Sequence, residues 1–125
     1  MARRIMIVED NIDSADTMQL LLGLSGYDAK TAYDGATALK LAREFMPQVV
    51  LCDIGLPDKD GYQVARELRA LPETRGAFLV ALTGYGNAED KQLATAAGFD
   101  AFQVKPVEPD ALNALLARHF SGSPS

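Results

Sequence analysis

The chain has 125 residues, 48% of them hydrophobic, which suits one compact domain with one core. A formal net charge of −5, with Arg3–Arg4 as the only adjacent basic pair, excludes the clustered cations that nucleic-acid binding needs. One cysteine excludes an intrachain disulfide and a cysteine-rich metal site, and no apolar run is long enough to span a membrane.

In chain order, short β-rich runs alternate with stretches of helical period. The first run, Ile5–Val8, is apolar throughout and gives way to Glu9 and Asp10. It is too short for the core of a signal peptide, so a cytoplasmic location is expected. Asn11 caps the first helix, in which Ala15, Met18, Leu21 and Leu22 share a face, and Gly26 closes it. The second run, Tyr27–Thr31, alternates apolar and charged residues. Asp34 caps the second helix and Pro47 stops it. The third run, Val49–Cys52, is continuously apolar and ends on Asp53. Turn residues follow, among them Asp58 and Asp60, both read as turn formers. The third helix presents Val64, Ala65 and Leu68. The fourth run, Phe78–Leu82, leads to Thr83 and the glycine-bearing loop Gly84–Tyr85–Gly86. Asn87 caps a fourth helix, Ala88–Ala97, that offers the sheet only Leu93 and small residues, and Gly98 closes it. The fifth run, Ala101–Val104, carries Gln103 and leads to Lys105–Pro106. Pro109 opens the last helix, whose Leu112, Leu115 and Leu116 share a face and whose His119 lies near the C-terminal dipole. Residues 1–121 read as one domain and 122–125 as a frayed tail.

Strictly alternating strands and helices predict an α/β fold: a doubly wound five-stranded parallel sheet with five helices on both faces. Runs one, three and four have the unbroken apolar character of strands buried on both sides, whereas runs two and five carry polar positions and read as edges. The flavodoxin-like order 2-1-3-4-5 satisfies this, with a ligand crevice between strands one and three.

In such a sheet the residues just past the strand C-termini gather on one rim. Glu9, Asp10, Asp53, Thr83 and Lys105 therefore share a pocket. An ionised carboxylate is costly to bury unless its charge is compensated, and two like charges about 4 Å apart repel by about 4 kcal/mol at an effective dielectric of 20. Lys105 supplies one compensating charge. An all-oxygen donor set points to a hard cation, Mg²⁺ or Mn²⁺, which keeps several waters and so leaves places for phosphate oxygens. Asp53 then becomes a nucleophile toward phosphorus, with the cation, Lys105 and the Thr83 hydroxyl taking up charge on the transferred oxygens.

Glu9–Asp10, Asp53 in CDIGLPDKDGY, Thr83 in ALTGYG and Lys105–Pro106 in AGFDAFQVKP together resemble the receiver domain of two-component response regulators. The match runs from about Ile5 to Phe120. The resemblance implies phosphoryl transfer to Asp53 from a histidine kinase or histidine phosphotransfer protein. It implies Mg²⁺ held by Asp10, Asp53 and the main-chain carbonyl of Gly55, with Glu9 assisting directly or through water. Lys105 and Thr83 would contact the phosphoryl group, Pro106 would be a cis or turn proline, and Phe102 would occupy the aromatic switch position. Phe102 stands where tyrosine is frequent, so a phenol hydroxyl is lost there. The loosely held fourth helix, the fifth strand and the fifth helix would form an output face in a monomer or weak homodimer. The chain reads either as a free-standing regulator, which its initial methionine and complete last helix suit, or as the receiver module of a hybrid histidine kinase.

Three other functions fit less well. An aspartate-nucleophile phosphatase resembles D-x-D at its nucleophile, and here the second acid position is Gly55. A flavin- or nucleotide-binding protein would place a glycine-rich loop after the first strand, where Glu9 and Asp10 stand instead. A degenerate receiver acting only as a scaffold would have no need of an intact acceptor, acid pair and lysine.

Overall fold

The computed structural model describes residues 2–84 and 88–121. Ten elements alternate: β1 (Arg4–Val8), α1 (Ile12–Leu24), β2 (Asp28–Ala32), α2 (Gly35–Phe45), β3 (Val49–Asp53), α3 (Gly61–Ala70), β4 (Phe78–Thr83), α4 (Ala88–Ala97), β5 (Ala101–Val104) and α5 (Pro109–Ser121). The strands form one parallel sheet in the order β2-β1-β3-β4-β5, as the polarity of the runs predicts. β3 is buried at every position, while β2 and β5, at the edges, are largely half-buried or exposed.

Alternation along the central strands splits the core in two. Ile5, Ile7, Val49, Leu51, Val80 and Leu82 meet Ala15 and Leu22 of α1 and Leu112, Leu116 and Phe120 of α5. Met6, Val8, Val50, Cys52, Leu79 and Ala81 face the opposite way, onto α2, α3 and α4. Helices therefore cover both faces, two on one and three on the other.

The chain's punctuation works locally. Asn11, Asp34 and Asp60 each accept a hydrogen bond from the backbone N–H three residues on, at Ser14, Thr37 and Gln63. Met46 takes a left-handed conformation (φ 48°) that ends α2 just before Pro47. At Gly98 (φ 113°) a side chain would be strained and would also collide with the stem of Arg69, so α4 ends on glycine for two reasons.

Two expectations are corrected and a third is extended. Leu93 does not face the sheet; it is 50% exposed, and Ala94 and Ala97 are the buried residues of α4. Leu21, grouped by spacing with the inner face of α1, is 38% exposed, since that face centres on Ala15 and Leu22. His119 does more than sit in the last turn of α5: its ring stacks on Phe78 with centroids 4.1 Å apart. Asn87, Tyr85, Gly86 and the tail 122–125 lie outside the described residues. Among the described residues, no helix is long and apolar enough to cross a membrane.

Candidate functional site

Strand register brings the rim residues together. β1 pairs with β3 through Val8↔Cys52, so the next residues, Glu9 and Asp53, emerge side by side. β3 pairs with β4 through Asp53↔Leu82, which sets Thr83 one step beyond. β4 pairs with β5 through Thr83↔Val104, and the Lys105 N–H then donates to the Thr83 carbonyl at 2.7 Å.

The side chains converge accordingly. Glu9, Asp10 and Asp53 each offer a carboxylate oxygen, and these oxygens lie within 4.8 Å of one another. The Lys105 ammonium donates to both oxygens of Glu9, at 3.0 and 3.2 Å, and lies 3.1 Å from Asp53 Oδ2. The Gly55 N–H donates to Asp53 Oδ1 at 3.1 Å, fixing the orientation of that carboxylate. Glu9, Asp53 and Thr83 are buried, at 3%, 7% and 6% exposure, while Asp10 is exposed at the mouth. The Lys105–Pro106 peptide bond is cis.

Three carboxylates against one ammonium leave the cluster short of positive charge. The strain falls on Glu9, whose carboxyl is pushed up to about 7 by burial first and by its hydrogen bond with Asp53 second, against the pull of Lys105. Asp53 is buried as well, which alone would raise it. Hydrogen bonds with Glu9, the Gly55 N–H and Lys105 outweigh that and hold it below the usual aspartate value. Lys105 is correspondingly held above its usual value, because its partners' hydrogen bonds outweigh its own burial. The arrangement keeps Asp53 ionised, as a nucleophile requires. A hard divalent cation fits this donor set: every ligand atom is an oxygen, the group has a charge deficit, and one acid is open to solvent.

Phe102 is half-buried against the core cluster shared by α2, α3 and α4, and the Lys91 ammonium lies 5.6 Å from its ring centroid. Cys52 is fully buried, and its thiol donates to the main-chain carbonyl of Asp53 at 3.4 Å. Burial and the neighbouring Asp53 and Glu9 push that thiol far above its ordinary value, so it is not a nucleophile. Two features escape sequence reasoning. The spacing of Glu9 and Asp10 does not say which of them is buried; it is Glu9, whose N–H donates to the Ala32 carbonyl and extends the β1–β2 ladder. Asp58, read as a turn former, bonds the loop's own backbone at Asp58 and Lys59 and in addition binds two amides of α2.

The family model for the response regulator receiver domain matches residues 5–117. The chain belongs to this family. The receiver domain is 31% identical over 105 residues to an uncharacterised 14.6-kDa protein of Leptolyngbya boryana, a match covering 84% of this chain and 80% of the other. Its fold superimposes on the chemotaxis protein CheY4 of Vibrio cholerae with a TM-score of 0.91 at 27% identity, covering 94% of this receiver domain and 98% of that chain. It is also similar to the signal receiver domain of a signal transduction histidine kinase from Syntrophus aciditrophicus, with a TM-score of 0.87 at 28% identity over 97% of this chain and 92% of that one.

Proposed function

We propose that this receiver domain is the phosphoacceptor of a phosphorelay and that Asp53 is the acceptor. The observation that carries the reading is one ionised carboxylate, Asp53, held at the end of the central strand within reach of Lys105 and of two further acids. A carboxylate oxygen of Asp53 attacks the phosphorus of a phosphohistidine borne by a histidine kinase or a histidine phosphotransfer protein. The O–P bond forms as the P–N bond breaks, and the imidazole leaves and takes up a proton. Glu9, Asp10, Asp53 and the main-chain carbonyl of Gly55 would hold Mg²⁺ or Mn²⁺. When bound, the cation would supply positive charge that offsets the acids and stabilises the phosphoryl oxygens. Lys105 turns from its carboxylates toward the incoming phosphoryl oxygens, and the Thr83 hydroxyl donates to them. A groove of about 700 Å³ beside the cluster, floored by Leu21, Leu22, Leu82, Val107 and Leu112, gives a donor protein room to approach.

The same chemistry accounts for regulation. Movement of Thr83 toward a phosphoryl group pulls on the segment that leads into α4, and Phe102 follows on the neighbouring strand. The α4–β5–α5 face thereby shifts between two populations that an output partner distinguishes. The protein acts in the cytoplasm as a regulatory reactant, with self-phosphorylation and self-dephosphorylation as its only chemistry.

The test is incubation with acetyl phosphate and Mg²⁺, read by intact-mass spectrometry. Wild type gains one phosphoryl adduct and Asp53→Asn gains none. An adduct that survives in Asp53→Asn, or no adduct in wild type with either the small donor or a phosphorylated histidine phosphotransfer protein, rejects the reading.

A further inference from the structure

Asp58 sits in the β3–α3 loop, five residues after Asp53, and is bound to a different element. Its Oδ1 accepts from the Gly35 N–H at 2.8 Å and its Oδ2 from the Ala36 N–H at 3.0 Å. These are the first two amides of α2, and Asp34 takes the third, from Thr37, at 2.7 Å. One helix end thus receives two carboxylates, of which only Asp34 is local in sequence. The stem of Lys59 covers the same spot, since a Cβ on Gly35 would meet its Cγ and Cδ at 3.2 Å. The Lys59 ammonium then turns to Glu67 of α3 at 3.1 Å.

The rest of the loop is fixed at its two ends and at one apolar point. The Gly61 N–H donates to the Ile54 carbonyl at 2.7 Å, and a Cβ at Gly61 would lie 2.5 Å from the Asp53 carbonyl oxygen, so only glycine lets α3 start this close to β3. Leu56 is buried in the core. Gly55 stands between Asp53 and these anchors, is exposed, and touches the acceptor through its N–H.

We propose that Asp58 is a positioning residue for the cation site: by fastening the β3–α3 loop to the N-terminus of α2, it holds the Gly55 main chain beside Asp53 in the arrangement a divalent cation requires. The proposal rests on the reading of Glu9, Asp10, Asp53 and Gly55 as the cation's ligands. Asp58 itself touches neither cation nor phosphoryl group. It removes the loop's freedom to swing away, which an unoccupied ligand set would otherwise have to overcome on binding.

The experiment measures Mg²⁺ affinity by calorimetric titration of the full chain, together with amide exchange of the loop, in wild type, Asp58→Ala, Asp58→Asn and Asp34→Ala. Asp58→Ala weakens Mg²⁺ binding on the order of tenfold, the low end for a partner outside the ligand shell, and speeds exchange at Gly55. Asp58→Asn, which keeps an acceptor for one amide, recovers part of the affinity, and it carries the comparison if Asp58→Ala does not fold. Asp34→Ala removes a cap from the same helix, lowers the melting temperature and leaves Mg²⁺ affinity unchanged. Wild-type affinity in both Asp58 variants, or an equal loss in Asp34→Ala, makes Asp58 a helix cap only and overturns the proposal. If wild type itself binds no Mg²⁺, the ligand reading fails and the positioning role falls with it.

Discussion

At the scale of single residues, the site pairs Asp53, the proposed acceptor, with Lys105 and sets a glycine beside it. Lys105 bridges Glu9 and Asp53, so both buried acids have a partner before any cation arrives. On the other side stands Gly55, where a built Cβ would find only Asp53 Oδ1, at 4.0 Å. Among the described residues other than its chain neighbours, nothing else comes within 4 Å of that position, so a side chain there would narrow the path of water to a phosphoryl group on Asp53. Gly55→Met is therefore expected to slow loss of the phosphoryl group roughly fivefold, a barrier increase of about 1 kcal/mol. Decay of the intact-mass adduct measures it, and an unchanged half-life means that water enters elsewhere. The residues of the cluster were legible because each is polar and stands at the end of an apolar run, a contrast that is hard to explain by packing. The difference in burial between Glu9 and Asp10 was not legible. It depends on how far the β1–β2 ladder continues past Val8, which no local pattern encodes. Asp58 was hidden for a related reason: cap signals are read within a few residues, and its amides lie on a helix that begins 23 residues earlier.

At the scale of elements, α4 differs from its neighbours in how it is held. α3 buries Val64, Ala65 and Leu68, whereas α4 buries Ala94 and Ala97. At about 25 cal/mol per Å², two alanines contribute little of the driving force that a leucine and a valine supply. One tie lies just past the C-terminal end of the helix, where Arg69 donates to the Gly98 carbonyl at 2.7 and 3.0 Å and to Asp100 at 2.6 Å. A helix so lightly packed along its length shifts more readily than α3. Sequence composition showed that this helix is poor in large apolar residues but assigned Leu93 to the wrong side. With so few apolar positions, helical period alone gives no clear inner face. The difference is measurable by denaturant unfolding. Leu68→Ala is expected to cost about 2–5 kcal/mol, as for a buried leucine, and Leu93→Ala less than about 0.5 kcal/mol, as for a surface position. Comparable losses at both sites would show that Leu93 packs against the sheet.

At the scale of the whole molecule, strand order was legible because burial on two faces leaves an unbroken apolar record in β1, β3 and β4, and the edge strands lack it. That order sets the charge problem. Parallel strands from the middle of the sheet deliver Glu9, Asp10 and Asp53 to one point in a chain that already carries a net charge of −5. Lys105 offsets one of the three, so the folded state gathers negative charge that the unfolded chain keeps apart. A divalent cation that binds only the folded state relieves this and adds about 2.7 kcal/mol of stability at one hundred times its dissociation constant, roughly 10 °C for a domain of this size. Mg²⁺ titrated at constant ionic strength, so that general screening is held fixed, is expected to raise the melting temperature by that order. Asp10 separates specific binding from charge relief because it is exposed and forms the open side of the cluster. Asp10→Ala should remove the Mg²⁺ increment while raising the stability of the cation-free protein, by no more than about 1 kcal/mol since its repulsion is screened by solvent. The two effects have opposite signs and no simple loss of packing produces both. A variant that keeps the full Mg²⁺ increment takes Asp10 out of the ligand set, and one that loses it without gaining cation-free stability shows that the acids of this rim do not repel strongly enough to drive cation uptake.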